Sequence, residues 1–209
     1  MGDAARIAIF PLPGALLFPR ARLPLHIFEP RYRAMVADAM AGEQTIGMVQ
    51  PRDETPVPAL FDVGCLGRIT RCENLPDGRY NIVLTGLTRF RIASEPMVST
   101  LYRQVDAILD AFDDEREQPA LAPATRAALE IEAKRFAERH GFVVDWASVA
   151  QVDDENLVNG IAQIAPFDAV AKQALLETPA LVDRAGMIIQ LMQFEAAEMS
   201  GRGDSDRLQ

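Results

Sequence analysis

Side chains able to do covalent chemistry are few in this 209-residue chain. Lysine occurs only as Lys134 and Lys172, histidine only as His26 and His140, and cysteine only as Cys65 and Cys72. No Gly-Lys pair is present, so there is no glycine-rich loop with a lysine behind it to cradle a triphosphate. A Gly-x-Ser-x-Gly nucleophile elbow and a His-Glu-x-x-His zinc helix are absent as well. Two distant histidines without a Cys-x-x-Cys predict no metal centre and no cofactor. Cys65 and Cys72 lie seven apart in a segment that reads as a strand; alternation puts them on opposite faces, so no disulfide is expected between them. The acids could furnish a carboxylate pair for acid–base work, but helix surfaces and caps account for them better. The residue types therefore point away from catalysis and towards recognition.

The candidate for recognition is the stretch from Phe10 to Met35, which carries prolines at 11, 13, 19, 24 and 30 among apolar residues and then turns into Glu29-Pro30-Arg31-Tyr32-Arg33. One reading is architectural. Pro11, Pro19 and Pro24 fix the loop that links two strands, Phe28 and Pro30 bring the chain into a helix, Tyr32 packs inward, and the Glu29 carboxylate accepts N–H groups of the first helical turn. The other reading uses the same fixation for binding. A proline-rigid loop costs little entropy to hold open, so Leu16, Leu17 and Phe18 would present an apolar surface to extended peptide, with Glu29, Arg31 and Arg33 at its rim. The two readings are compatible.

Charge divides the chain. Residues 1 to 111 carry twelve Arg, no Lys and twelve acids, whereas residues 112 to 209 carry nine basic and eighteen acidic side chains, and so the whole net charge of −9. An acidic half repels phosphate backbones, which argues against nucleic acid and anionic membrane as partners. In the neutral half, Arg68, Arg71, Arg79, Arg89, Arg91 and Arg103 would make an RNA-binding stripe if neighbouring strands gathered them; without lysines or interleaved aromatics that footprint is weak. No uncharged run is long enough to span a bilayer. Arg6 with the apolar run after it resembles a signal peptide only until Pro11 and Pro13 break it. Met1-Gly2 lacks the hydroxyl residue that a myristoylation signal needs at position 6, and Arg202-Gly203-Asp204 reads as a chance tripeptide. A soluble, cytoplasmic protein is expected.

The elements that would position these residues change in period along the chain. Strands are expected at Ile7 to Leu12, Leu23 to Phe28, Thr45 to Gln50, Val63 to Leu75, Arg79 to Thr85, Leu87 to Ser94 and Leu101 to Leu109, with a hairpin turn at Pro76-Asp77-Gly78. A short helix starts at Pro30, with Tyr32, Met35, Val36, Ala39 and Met40 at helical spacing and Gly42 as its stop. Many short strands with one small helix imply a barrel-like module over residues 1–112. Residues 113–119 read as a solvated acidic linker. Residues 120–199 read as a helical bundle: Leu129, Ala133, Phe136 and His140 on one helix, Asp153 and Asp168 as N-caps of two more, and a last helix from Thr178-Pro179 to about Met199. That last helix carries one stripe of Leu181, Val182, Ala185, Ile188, Ile189 and Met192 and a second of Met187, Leu191 and Phe194, a surface wide enough for burial among several helices. Residues 200–209 form a polar tail. The fold class is α+β.

The stretch Phe10-Pro11-Leu12, Leu17-Phe18-Pro19 and Leu23-Pro24-Leu25-His26-Ile27-Phe28-Glu29-Pro30-Arg31-Tyr32 resembles the opening of the Lon protease N-terminal, substrate-binding domain. The resemblance continues through Gly64-Cys65-Leu66-Gly67-Arg68-Ile69, Asn81-Ile82-Val83-Leu84-Thr85-Gly86 and Arg89-Phe90-Arg91-Ile92, and returns at Lys172-Gln173-Ala174-Leu175-Leu176-Glu177. That domain occurs in ATP-dependent Lon proteases and as a free-standing bacterial protein, and the latter form is expected here. The resemblance implies a PUA-like β pseudo-barrel followed by a helical bundle. It also implies unfolded or extended protein segments as partners, a Lon-type protease as a further one, and an adaptor's place in protein quality control. Lon peptidases use a Ser-Lys dyad in a separate domain; Lys134 and Lys172 fall on predicted helices outside any serine-nucleophile motif. The expectation is a non-catalytic module.

Overall fold

The structure, a computed structural model, describes residues 4–205, and their side chains as far as Glu198. Met1-Gly2 and the Arg202-Gly203-Asp204 side chains lie outside what is described. The described residues form two compact units, one of residues 4–117 with 168–177, the other of residues 118–167 with 178–205.

Six strands build the first unit: β1 (Ala5–Pro11), β2 (Arg22–Ile27), β3 (Thr45–Val49), β4 (Val63–Asn74), β5 (Tyr80–Ser94) and β6 (Gln104–Ile108). Their order is β2-β5-β4-β3-β1-β6, and β6 pairs back onto β5, so five strands close a ring and leave no free edge among them. The length of β5 makes this possible. Its first half pairs with β2, from Tyr80 opposite Ile27 to Thr85 opposite Arg22, and its last residues pair with β6, Arg91 opposite Ile108. The two strands expected at 79–85 and 87–94 are thus one continuous strand through Gly86. Register shifts at Leu66/Gly67 and Ile69/Arg71 bend the long β4–β5 pair enough to curl it. β1 runs parallel to β3, with β2 and helix α1 (Pro30–Ala41) as the crossover between them. Inside the ring pack Ile7, Ile9, Val49, Leu66, Phe90, Val105 and Ala107.

Helix α1 begins with Pro30 at its first turn, buries Tyr32, Met35 and Val36, and stops where the Gly42 N–H bonds the Ala39 carbonyl. Helix α5 (Ala169–Glu177) is compact with this unit, which departs from the expectation of one unbroken bundle over 120–199. Its inner face explains why. Asp168 caps it through the Ala171 N–H at 2.7 Å, Lys172 Nζ donates to the Gly14 carbonyl at 2.7 Å, and Gln173 Nε2 donates to the Val63 carbonyl at 3.0 Å. Polar side chains at these positions satisfy carbonyls at strand ends and loops, a task that an apolar bundle seam does not have.

The stretch 113–119 also departs from a solvated linker, because Asp114 is buried. Its carboxylate accepts from Arg89 Nη2 at 2.7 Å and from the Arg89 backbone N–H at 2.7 Å; Arg89 Nη1 donates to the Leu176 carbonyl at 3.0 Å, and the Phe112 ring lies 4.4 Å from the guanidinium. Desolvation of both charges is offset only because nearly every lone pair and proton finds a partner. Glu115, Arg116 and Glu117 remain exposed.

Four helices make the second unit: α2 (Pro123–His140), α3 (Trp146–Val149), α4 (Asp154–Ile164) and α6 (Leu181–Ser205). Gly141 ends α2 in the left-handed region at φ 69, where glycine escapes the Cβ penalty. Asp153 caps α4 through the Asn156 N–H. Asp145 caps the short α3, a helix the sequence pattern did not reveal. Leu129 and Phe136, Leu157 and Val158, and Leu181, Ala185, Ile188 and Met192 are buried, whereas Val182 and Phe194 of the two expected stripes are exposed. Helix α6 runs past Met199 to Ser205, into the expected tail.

Candidate functional site

The proline loop between β1 and β2 lies down on the β4–β5 pair. Pro19 bridges to Gly86, the Arg20 N–H donates to the Gly86 carbonyl at 2.8 Å, and the Gly86 N–H donates to the Ala21 carbonyl at 2.9 Å. A Cβ on Gly86 would overlap the Phe18 carbonyl oxygen, and one on Gly67 would sit 2.6 Å from Leu17 Cδ2. Only glycine lets the loop approach so closely. Leu16, Leu17 and Phe18 are accordingly 1%, 1% and 0% exposed, which corrects the expectation that they present an apolar surface. The hydrophobic gain of burying three large side chains, about 1.5–3 kcal/mol each, outweighs holding them open.

The expectation for the Glu29 side chain is corrected too. Its backbone carbonyl accepts from the Tyr32 and Arg33 N–H groups at 3.0 and 2.9 Å, but the carboxylate makes no cap hydrogen bond. It turns instead to Arg31, whose Nη2 lies 2.9 Å away, and both side chains are open to solvent. The Arg31 guanidinium sits 4.4 Å from the Tyr32 ring centre. Tyr32 packs inward as expected, 4.1 Å from Phe10 between ring centres, and burial, ahead of any neighbouring charge, raises its pKa.

The exposed apolar side chain of this stretch is a different one. Phe28 is 59% exposed, and its ring lies 6.2 Å from that of His26. His26 Nδ1 is 2.7 Å from Asn81 Oδ1, and its Nε2 is 3.3 Å from Arg79 Nη1. Arg79 is held by Asp77, 2.6 Å from Nε to Oδ2. Arg33 reaches the same hairpin turn, for its guanidinium fills the space a Cβ on Gly78 would need. The result is an exposed aromatic beside His26, just past β2 and before α1, with the Arg79–Asp77 pair on the far side of the imidazole. The signal for Phe28 was present in the sequence: Arg22, Pro24 and His26 alternate along β2, Phe28 continues the period one residue past its end, and all four are exposed.

The arginines of the RNA reading do not form one stripe. Arg89 is buried on Asp114, Arg79 is paired with Asp77, and Arg103 is paired with Glu95 at 2.6 Å. Both cysteines are free, and burial pushes each thiol up in pKa, so neither is a ready thiolate. Among the described residues no group of histidine, cysteine and acids could hold a metal ion, and no helix is long and apolar enough to cross a membrane.

A strand ring closed by one long strand, with a proline loop laid across it and a helical unit beside it in sequence, defines an α+β domain of the Lon N-terminal kind. The chain belongs to the family of the ATP-dependent protease La (LON) substrate-binding domain, whose model matches residues 6–193. It is 28% identical over 216 residues to Lon protease 2 of Myxococcus xanthus, covering 95% of this chain and 25% of that protein. It is 30% identical over 132 residues to Lon protease 2 of Sorangium cellulosum, covering 60% of this chain and 16% of that protein. The chain thus spans a quarter or less of the length of these relatives, and the matched family domain is the substrate-binding one. Among solved structures, the Lon N-terminal domain protein from Xanthomonas campestris superposes with a TM-score of 0.63 at 19% identity, covering 89% of this chain and 98% of that one. The N-terminal domain of Mycobacterium avium complex Lon protease gives a TM-score of 0.63 at 14% identity, over 90% and 98%.

Proposed function

We propose that this chain is a non-catalytic module that binds unfolded or extended protein segments and serves as an adaptor to a Lon-type protease in the cytoplasm. The observation that supports it most is membership of a substrate-binding family over residues 6–193 in a chain with two lysines, neither placed for catalysis: Lys134 is exposed on α2, and Lys172 donates to a backbone carbonyl. The contact surface in this reading is the β2–α1 corner, with Phe28 as apolar anchor and Glu29, Arg31 and Arg33 around it. An exposed aromatic held on rigid backbone adds contact area at low entropy cost.

The test is fluorescence anisotropy with labelled, unfolded casein. Saturable binding is expected, and Phe28→Ser should weaken it by about tenfold, the loss of roughly 1.4 kcal/mol from one interface anchor, with an unchanged melting temperature. Absence of binding by the wild-type chain would overturn the function; unchanged binding by F28S would overturn the site alone. The adaptor role predicts faster casein turnover when the chain is added to a Lon protease, and no turnover of casein or ATP by the chain itself.

A further inference from the structure

The helical unit contains an apolar basin of about 290 Å³, at the lower end of the usual range of ligand pockets and sized for one or two side chains. Its wall includes Ala133 and Phe136 of α2, Trp146 of α3, and Ile161 of α4, with Met192 of α6 at the base. Phe142 and Ile164 stand at its lip, 44% and 78% exposed. An open concavity of this kind leaves apolar surface in water that a matching side chain would cover.

The charges beside it are unbalanced. Asp145 adjoins Trp146, and its carboxyl is held below the usual carboxylate range by the Ser148 hydroxyl and backbone N–H. Asp153 is lowered in the same way by Asn156, a lining residue. Glu130 of the wall shares Arg126 with Asp154, at 2.8 and 2.5 Å, so one guanidinium faces two carboxylates. Arg139 bonds the Met192 carbonyl through Nη2 at 3.2 Å, and its guanidinium lies 6.0 Å from the Phe136 ring. His140, next to it, is 2.8 Å from Glu195. The α3–α4 side of the basin is therefore anionic.

We propose that this basin takes a bulky apolar side chain from a protein segment that carries Lys or Arg beside it, with the cationic flank lying along α3 and α4. The apolar side chain fills the concavity, and the flank meets Asp145 and Asp153, the caps of α3 and α4. This rests on the reading that the chain binds protein segments, but not on the Phe28 corner, and it names a chemical preference that the corner, with charges of both signs, lacks.

Trp146 is the only tryptophan and lies in the wall, so it reports occupancy directly. A short Trp-free peptide with a Phe-Leu pair between lysine pairs should shift its emission saturably; the same peptide with glutamates for lysines should bind at least about tenfold more weakly. Gly160 lines the basin, and a Cβ there meets nothing within 4 Å. Gly160→Leu therefore has room for its Cβ, directs a larger side chain at the basin and removes a helix-interior glycine, so it should weaken the lysine peptide by about tenfold while the melting temperature holds or rises. Ile164→Ser, at the exposed lip, should weaken it without touching the core, and Phe28→Ser should leave the Trp146 response unchanged. Equal binding of the two peptides would overturn the cationic preference. No response to the lysine peptide, or an undiminished one in G160L and I164S, would overturn the site, and neither outcome bears on casein binding at Phe28.

Discussion

At the scale of single residues, Glu29 shows how a local pattern is legible while its use is not. Glu before Pro marks the helix start itself, since the Glu29 backbone carbonyl accepts the Tyr32 and Arg33 N–H groups. The side chain could equally cap or turn outward, and an arginine two residues on decides it: Arg31 draws the carboxylate into solvent. An exposed ion pair contributes roughly 0.2–1 kcal/mol, so Glu29→Ala should lower stability by no more than that in urea denaturation. A loss above about 2 kcal/mol would mean that the carboxylate caps the helix after all. Leu16, Leu17 and Phe18 show the opposite failure. Their apolar character and proline framing suit a rigid exposed loop or a buried one, and the choice is made by Gly67 and Gly86, some fifty or more positions later, which open the room for the loop to lie on the sheet. No local pattern carries that information. Phe28, by contrast, could have been found from alternation along β2 alone.

Among elements, the strand and helix types followed from period and punctuation, whereas joins across distance did not. Arg89 and Asp114 are the clearest case: one looked like part of a basic stripe and the other like part of a solvated acidic run, and together they form a buried pair. Removing one partner strands the other charge. Asp114→Ala should cost about 3–5 kcal/mol, and the double replacement Arg89→Met with Asp114→Leu should recover much of it; a D114A variant with wild-type stability would refute the pair's role. A second join ties α1 to the segment before β6, where the Tyr102 hydroxyl donates to Asp38 Oδ2 at 2.8 Å. Burial first, and then that carboxylate, push the Tyr102 phenol up to about 12, against an ordinary value of about 10 in an unfolded chain. A folded pKa above the unfolded one favours the native state below pH 10, and that contribution is lost as pH rises from about 10 through 12. Urea titrations across this window should show stability falling in the wild type and falling less steeply in Tyr102→Phe, which starts about 1 kcal/mol lower for want of the hydrogen bond. Parallel slopes would show that folding does not raise the Tyr102 pKa.

For the whole molecule, charge and period both changed near residue 113, and the compact units do part at residues 117 and 118, yet the chain does not divide there once and for all. It returns to the first unit at residues 168–177 and leaves again. The return was invisible in the sequence because α5 carries a helical pattern like its neighbours; what assigns it is the chemistry of its inner face, where Lys172 and Gln173 donate to the Gly14 and Val63 carbonyls and the Leu176 carbonyl accepts from Arg89. This has a consequence for proteolysis. Arg116 is 82% exposed at its side chain, in a stretch of exposed residues, so trypsin should cut after it early. The cut separates residues 1–116 from the rest covalently, but α5 belongs to the smaller fragment, 117–209, while its partners at Gly14, Val63 and Arg89 belong to the larger. Two hydrogen bonds from α5 to the Gly14 and Val63 carbonyls, one from Arg89 to the Leu176 carbonyl, and the buried Leu175 and Leu176 beside them should keep the fragments together. The nicked protein is expected to elute from gel filtration as one species, and to dissociate only in denaturant. Replacing Gln173 by Ala and Lys172 by Met in the nicked chain should separate the two fragments at lower denaturant. Two separate peaks from the nicked wild-type protein in native buffer would show that α5 does not hold the β unit.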